Sequence, residues 1–361
     1  MEMQATSMEG RALIYCDGAF TSTYGKTAHG LVRFTRRYEV VGVIDGEAAG
    51  QDAGSLLDGK PAGIPIFADL PAALKALAGS EKAPTHWVMG VAPDGGRLDR
   101  KTRSAVAAAI QAGLHVDSGL HQFLADDGEL AAMAEAAGVR LRDIRRPPPR
   151  DALHFFSGKI ESVMALRIAV LGTDSAIGKR TTAWRIVQGL EAAGRQTELV
   201  GTGQTAWLQG ARYSICLDAL VNDFVSGEIE HAVWSAWKNG GADIVVVEGQ
   251  GSLMNPAYPG GFEILAAARP QVVVLQHAPA RKTYDGFPDY ALHPLPQQIE
   301  MIERLSGCPV AAITINHEGL KPAQVPLVCR TTAQIVGRPT VDLLREPAAG
   351  LVKELLKFEN I

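Results

Sequence analysis

"GTDSAIGKRTT", Gly172 to Thr182, follows the apolar run "LRIAVL" and opens the helical pattern "KRTTAWRIVQGLEAAG". A strand that enters a glycine-bearing turn and then a helix is the context of a phosphate-binding loop, because the turn's N–H groups and the helix N-terminus converge on an anion. Gly172 and Gly178 permit the tight backbone path, and Lys179 adds a mobile cation. Thr173, Asp174, Ser175, Ala176 and Ile177 fill the interval, five residues where the usual motif has four. The usual loop also places Ser or Thr directly after the Lys, to hold Mg²⁺. Here Arg180 stands in that place, and hydroxyls return only at Thr181 and Thr182, about 100° or more further round the helix. A guanidinium grips phosphate through paired, charge-assisted hydrogen bonds and repels a metal ion nearby. The expectation is a phosphate ligand held by Gly172 through Thr182 with no metal site.

Around the loop, "LRIAVLG" (166–172), "TELVG" (197–201), "DIVVVEG" (243–249), "QVVVLQH" (271–277) and "CPVAAITIN" (308–316) read as buried parallel strands separated by helical segments. The first half has the same alternation: "RALIYC" (11–16), "VVGVID" (40–45) and "HWVMGV" (86–91) are strands, and "LPAALKALAG" and "RKTRSAVAAAIQAG" are helices. The fold class is therefore α/β with doubly wound parallel sheets. Three successive prolines in "IRRPPPRDALHFFSGKI" (144–160) can neither continue a helix nor occupy a central strand, and they mark a stiff connector. Two domains are expected, 1–145 and 146–361, with 146–165 as the linker. A chain of 361 residues is also more than one hydrophobic core usually serves.

The totals exclude several classes. With 47% hydrophobic and 20% charged residues, the composition is that of an ordinary soluble globular protein. A net charge of −4 gives no basic footprint for nucleic acid. The four cysteines, Cys16, Cys216, Cys308 and Cys329, form no metal or redox pattern and fit reduced thiols. "MEMQATSMEGR" is not a signal peptide, and no apolar run is long enough for a bilayer, so a cytoplasmic protein without a membrane partner is expected. A homo-oligomer is expected on base rates alone.

Beyond the loop, Glu248 ends an apolar strand, where ligands of open α/β sheets gather, and it fits a metal-holding acid or a base equally. Asp218, Asp223 and His277 are the other candidate bases. Asp218 also suits a helix cap, and Asp223 the first helical turn. Arg281 and Lys282, in the polar segment after a strand, and Arg212 are candidates for a substrate carboxylate, with Gln250 beside them. In the first half, Asp45 stands where a dinucleotide fold keeps its ribose-binding acid. The Gly-x-Gly-x-x-Gly turn is missing, so a structural role is expected. "GKT" (25–27) is a mis-spaced loop and at best a weak anion site. Ser118 and His121 lack the elbow motif of a hydrolase.

"GTDSAIGK" resembles the variant loop of dethiobiotin synthetases, in which Thr follows the Lys. Together with "VGTGQTAWLQG", "DALVNDFVSGEIEHAV" and "VVVEGQGSLMNPAYPG", the stretch resembles domain-of-unknown-function family 1611 nearly end to end. That resemblance implies a Rossmann-like N-terminal domain and a P-loop NTPase-like C-terminal domain. The family includes an enzyme that transfers acetyl from acetyl-CoA to the amino group of D-glutamate during amino acid catabolism. It implies an acetyl-CoA co-substrate whose phosphate lies on the loop, and a small amino acid partner. The alternative is an ATP-dependent ligase or kinase using Mg-ATP; a nucleotide-sensing regulator is a third reading.

Overall fold

The computed structural model of the chain describes residues 8–359, so most of the N-terminal stretch "MEMQATSMEGR" lies outside the described residues. Two compact units divide it: the chain up to Pro147 together with Gly203–Gly210, and Pro148–Thr202 with Ala211 onward.

The first unit holds β1 (Gly10–Tyr15), α1 (Lys26–Arg33), β2 (Tyr38–Ile44), α2 (Ala53–Asp58), β3 (Ile66–Phe67), α3 (Leu70–Leu77), β4 (His86–Met89), α4 (Arg100–Gln111), β5 (His115–Ser118), α5 (Gly128–Ala137) and β6 (Leu141–Asp143). The strands are ordered β3-β2-β1-β4-β5-β6, all parallel, which is the order of a dinucleotide-binding sheet. The position of the ribose-binding acid is filled from within. Asp45 is buried and accepts from the N–H groups of Phe20 at 2.9 Å and of Glu47 and Ala48 at 3.1 Å, which folds the loop after β1 down onto the sheet. Thr27 of the near-match "GKT" is buried, its hydroxyl 3.0 Å from that of Thr205. Ser118 is buried and accepts from the Leu120 N–H, while His121 lies on the surface.

The expected contiguous second domain differs from the structure in one segment. Gly203–Gly210, which carries α7 (Gln204–Leu208), belongs to the first unit. Leu208 is fully buried there, and the Gln209 amide donates to the carbonyls of Gly30 and Phe34 at 2.8 and 2.9 Å. The guanidinium groups of Arg37 and Arg142 lie 3.6 and 4.3 Å from the centre of the Trp207 ring.

The second unit holds β7 (Leu166–Gly172), α6 (Lys179–Ala192), β8 (Thr197–Gly201), β9 (Tyr213–Ser214), α8 (Asn222–Lys238), β10 (Ile244–Glu248), α9 (Phe262–Ala268), β11 (Val272–His277), β12 (Thr283–Tyr284), β13 (Phe287–Ala291), α10 (Leu295–Ser306), β14 (Val310–Ile315), α11 (Val325–Val336), β15 (Thr340–Val341) and α12 (Ala349–Leu355). Its main sheet is parallel throughout, ordered β15-β14-β11-β7-β10-β8-β9, and β12 with β13 forms a separate antiparallel hairpin. The continuous apolar runs of β7, β10 and β11 are buried on both faces, which brings their carboxyl ends together at mid-sheet. Among the described residues, no helix is long and apolar enough to cross a membrane.

The proline-bearing connector does more than space two domains. Glu230 of α8 is fully buried and accepts from the Ser157 N–H and hydroxyl at 2.7 and 2.9 Å and from the Ile160 N–H at 3.1 Å. The approach is close enough that a Cβ at Gly227 would lie 2.0 Å from the His154 carbonyl oxygen. Glu230→Ala strands three donors at about 1 kcal/mol or more each, so we expect a loss of at least about 3 kcal/mol, read as a lowered urea midpoint.

Candidate functional site

The phosphate loop is shaped mostly by what grips its carbonyl oxygens. Lys179 is buried and its ammonium donates to the Asp174 carbonyl at 2.6 Å and the Gly251 carbonyl at 2.8 Å. Arg281 donates to the Ser175 carbonyl at 2.9 Å, and the Asn316 amide to the Ile177 carbonyl at 3.0 Å. In a trans peptide the following N–H points the opposite way, so the amides of Ala176 and Gly178 turn away from Arg281 and Asn316. The first-turn N–H groups of α6 follow directly on the loop. Gly178 adopts a φ of 94°, which only glycine takes readily. At Gly172 the constraint is space, since a Cβ would lie 2.8 Å from the Lys179 Cδ.

Asp174 ties three loops together. Its side chain is fully buried; one oxygen accepts from the Ser175 N–H at 2.7 Å and the Asn255 amide at 2.9 Å, the other from Arg281 at 2.8 Å and the Asp285 N–H at 3.0 Å. Asp174 is thus saturated by protein donors and serves as a staple. Arg281 is placed at the loop, as a ligand residue would be. Its donors go to Asp174, the Ser175 carbonyl and, at 3.0 Å, Glu318, which makes it an outer brace.

Hydroxyls on either side of the lysine are also committed. Thr182 is buried and donates to the Gln276 side-chain oxygen, which also accepts from Thr314, fixing the start of α6 to β11. The Thr173 hydroxyl lies 3.0 Å from the His277 Nδ1. Burial, with Lys282 nearby, lowers the His277 pKa to about 4, so the ring is neutral. Glu248 accepts from the Thr202 N–H at 3.1 Å, and Gln250 donates to the Thr202 carbonyl at 2.7 Å and its hydroxyl at 2.9 Å. Burial pushes the Glu248 carboxyl above its ordinary range, against the pull of Arg180, the Thr202 amide and Lys179.

The loop 172–182, Glu248, Gln250, His277 and Arg281 therefore meet at the carboxyl ends of β7, β10 and β11, and the exposed Lys282 follows closely. Asp218 lies in a 3₁₀ turn on the same edge, next to Leu217, whose N–H donates to the Thr202 carbonyl at 3.3 Å. It does not cap α8, whose N-cap is Val221. Asp223 is exposed in the first turn of α8, where it favours the helix dipole. Arg212 is not brought to the loop: it pairs with Glu198 near the start of β8, while the loop lies at the opposite edge. Sequence reasoning missed Asn255, Asp285, Asn316 and Gln276. Asn255 in "NPAYPGG" and Asn316 after "AAITI" carry a turn or strand-end signal, and Gln276 is an amide inside an apolar strand. Among the described residues, no group of three or more His, Cys, Asp or Glu is placed to hold a metal ion.

These features define a phosphate-loop α/β unit joined in one chain to a Rossmann-like unit. Residues 154–352 match the family model described as "Domain of unknown function (DUF1611_C) P-loop domain", and residues 46–147 the one described as "Domain of unknown function (DUF1611_N) Rossmann-like domain". The chain belongs to the DUF1611 family. It is similar to a protein from Tritonibacter scottomollicae named D-glutamate N-acetyltransferase, 31% identical over 74% of this chain and 80% of the relative. A protein of the same name from a Pseudoalteromonas species is 28% identical over 74% and 80%. A crystal structure of a DUF1611 family protein from Anabaena variabilis superposes with a TM-score of 0.87 at 28% identity, covering 96% of this chain and 99% of that one.

Asp174→Asn turns an NH₂ toward donors and leaves Arg281 without its buried counter-charge. We expect a loss of roughly 3–5 kcal/mol in denaturant unfolding. His277 supplies a pH test. Its folded pKa of about 4 lies below the ordinary 6.5, so its contribution to stability is complete above pH 6.5 and is lost as pH falls toward 4. The loss is on the order of 3 kcal/mol, and His277→Gln should flatten that part of the stability–pH curve.

Proposed function

We propose that this chain transfers the acetyl group of acetyl-CoA to the amino group of D-glutamate, with a CoA phosphate held on Gly172–Thr182 without a metal ion. The observation that carries the phosphate part is which side chains stand at the start of α6. Arg180 stands where a magnesium-binding hydroxyl belongs and is the strongest attractive charge on the buried Glu248. Thr182, the buried hydroxyl nearby, is committed to Gln276. The substrate part is supported by the names of the two relatives.

Acetyl-CoA supplies the activated acyl carbon; the chain's own residues must orient an amine, take its proton and stabilise negative charge on the carbonyl oxygen. Glu248 is the base that fits best. Burial raises its pKa, which makes the carboxylate more basic, and it lies beside the loop. His277 is held neutral and bonded to Thr173, and suits positioning. For donors to the oxygen, the "EGQGS" stretch offers the amides of Gln250 and Gly251, because those of Gly249 and Ser252 bond the carbonyls of Val170 and Tyr258. With Arg281 and Arg212 engaged elsewhere, Lys282 is the cation for a substrate carboxylate.

Calorimetric titration with acetyl-CoA, with and without EDTA, tests this reading. Binding unchanged by EDTA is expected; no binding, or strict dependence on Mg²⁺, sinks it and favours the ATP-dependent alternative. Arg180→Thr should weaken acetyl-CoA binding by roughly 1.5–3 kcal/mol, the worth of a hydrogen bond to a charged group.

A further inference from the structure

The two loops that Asp174 ties to the phosphate loop both carry exposed aromatic rings. In the loop after β10, Lys179 donates to the Gly251 carbonyl, and the next residue, Ser252, donates its N–H to the Tyr258 carbonyl at 3.1 Å. A Cβ at Gly251 would lie 1.9 Å from that same Tyr258 oxygen, so the backbone at 258 is pressed against the residue that touches the loop lysine. Asn255 shapes the turn by accepting from the Ala257 and Tyr258 N–H groups at 2.9 and 2.8 Å. The Tyr258 side chain nevertheless stands in solvent, 59% exposed.

On the other side, the tip of the β12–β13 hairpin touches the phosphate loop twice. The Asp285 N–H reaches Asp174, and the Ser175 hydroxyl donates to the Asp285 carboxylate at 3.2 Å. Phe287 follows two residues later, opposite Tyr284, and Tyr290 sits in the bulge of the same strand, with ring centres 6.0 Å apart and nearly perpendicular. Tyr290 is 55% exposed. An isolated two-stranded ribbon with an exposed aromatic face gains little stability from those rings, yet this one is pinned at its tip to a buried carboxylate.

We infer that Tyr258 and Tyr290, on arms fixed to the phosphate loop from either side, form a stacking platform for a flat heteroaromatic ring carried by the phosphate ligand, a purine base. This rests on the phosphate reading of Gly172–Thr182 and goes beyond it by assigning the part of the ligand that phosphate contacts cannot recognise. Stacking suits exposed tyrosines because a base offers a π-face without requiring specific hydrogen-bond partners, and loss of one aromatic partner weakens binding by about 5- to 150-fold.

The test titrates the full chain with inorganic pyrophosphate, adenosine 3′,5′-bisphosphate and acetyl-CoA, before and after Tyr258→Ala and Tyr290→Ala. The expected result is tighter binding of the adenosine probe than of pyrophosphate. The substitutions should each weaken the adenosine probe and acetyl-CoA by about 5-fold or more while leaving pyrophosphate unchanged. Equal affinity for pyrophosphate and the adenosine probe, equal weakening of both, or no binding of either overturns the platform. If acetyl-CoA fails to bind while the adenosine probe behaves as expected, the platform stands and the acetyltransferase reading falls. If acetyl-CoA binds and neither substitution weakens it, the reverse holds. Thermal melts of both variants check folding, since each side chain lies at the surface.

Discussion

One buried carboxylate organises the binding edge of the second unit. Asp174 accepts from four donors in the three segments that follow β7, β10 and β11, the last of which includes the tip of the β12–β13 hairpin. Each loop alone would be a surface connection with exposed backbone groups. Shared bonds to a single charged centre give all three a fixed relation, and the low dielectric around a fully buried group strengthens those bonds. The cost is that Asp174 must always be satisfied, which explains why Arg281 is drawn into the architecture and away from solvent.

The same economy governs the other charges. Lys179 and Arg281 both spend donors on loop carbonyls, and Glu248 lies under the influence of Arg180 and Lys179. Two of the side-chain cations thus hold the loop's peptide groups in position.

Much of this was legible in the sequence because the signals were local. The strand, turn and helix around 166–192 were readable from a continuous apolar run, two glycines and a helical pattern, and β7 and β8 match the expected strands residue for residue. Strands such as β3, β9, β12 and β15 are two residues long, too short to show a period, and their place comes from neighbouring strands. The side-chain roles were harder to read where partners are remote. Arg281 reads as a ligand-binding cation until Asp174, more than a hundred positions earlier, is seen buried against it. Arg212 reads the same way until Glu198 is found across the strand pair. Burial and pairing are properties of the assembled sheet, and residue type and spacing carry only part of that information.

The excursion of Gly203–Gly210 bears on how such a chain can be divided. A cut at the proline-rich connector looks natural, yet it would leave the first unit without Leu208 in its apolar core and without the indole that Arg37 and Arg142 contact. The two halves are thus modules in architecture, although one piece of the first is encoded within the second. Recombination or truncation at the prolines would separate a fold from one of its own pieces, so the chain has to be exchanged as a whole.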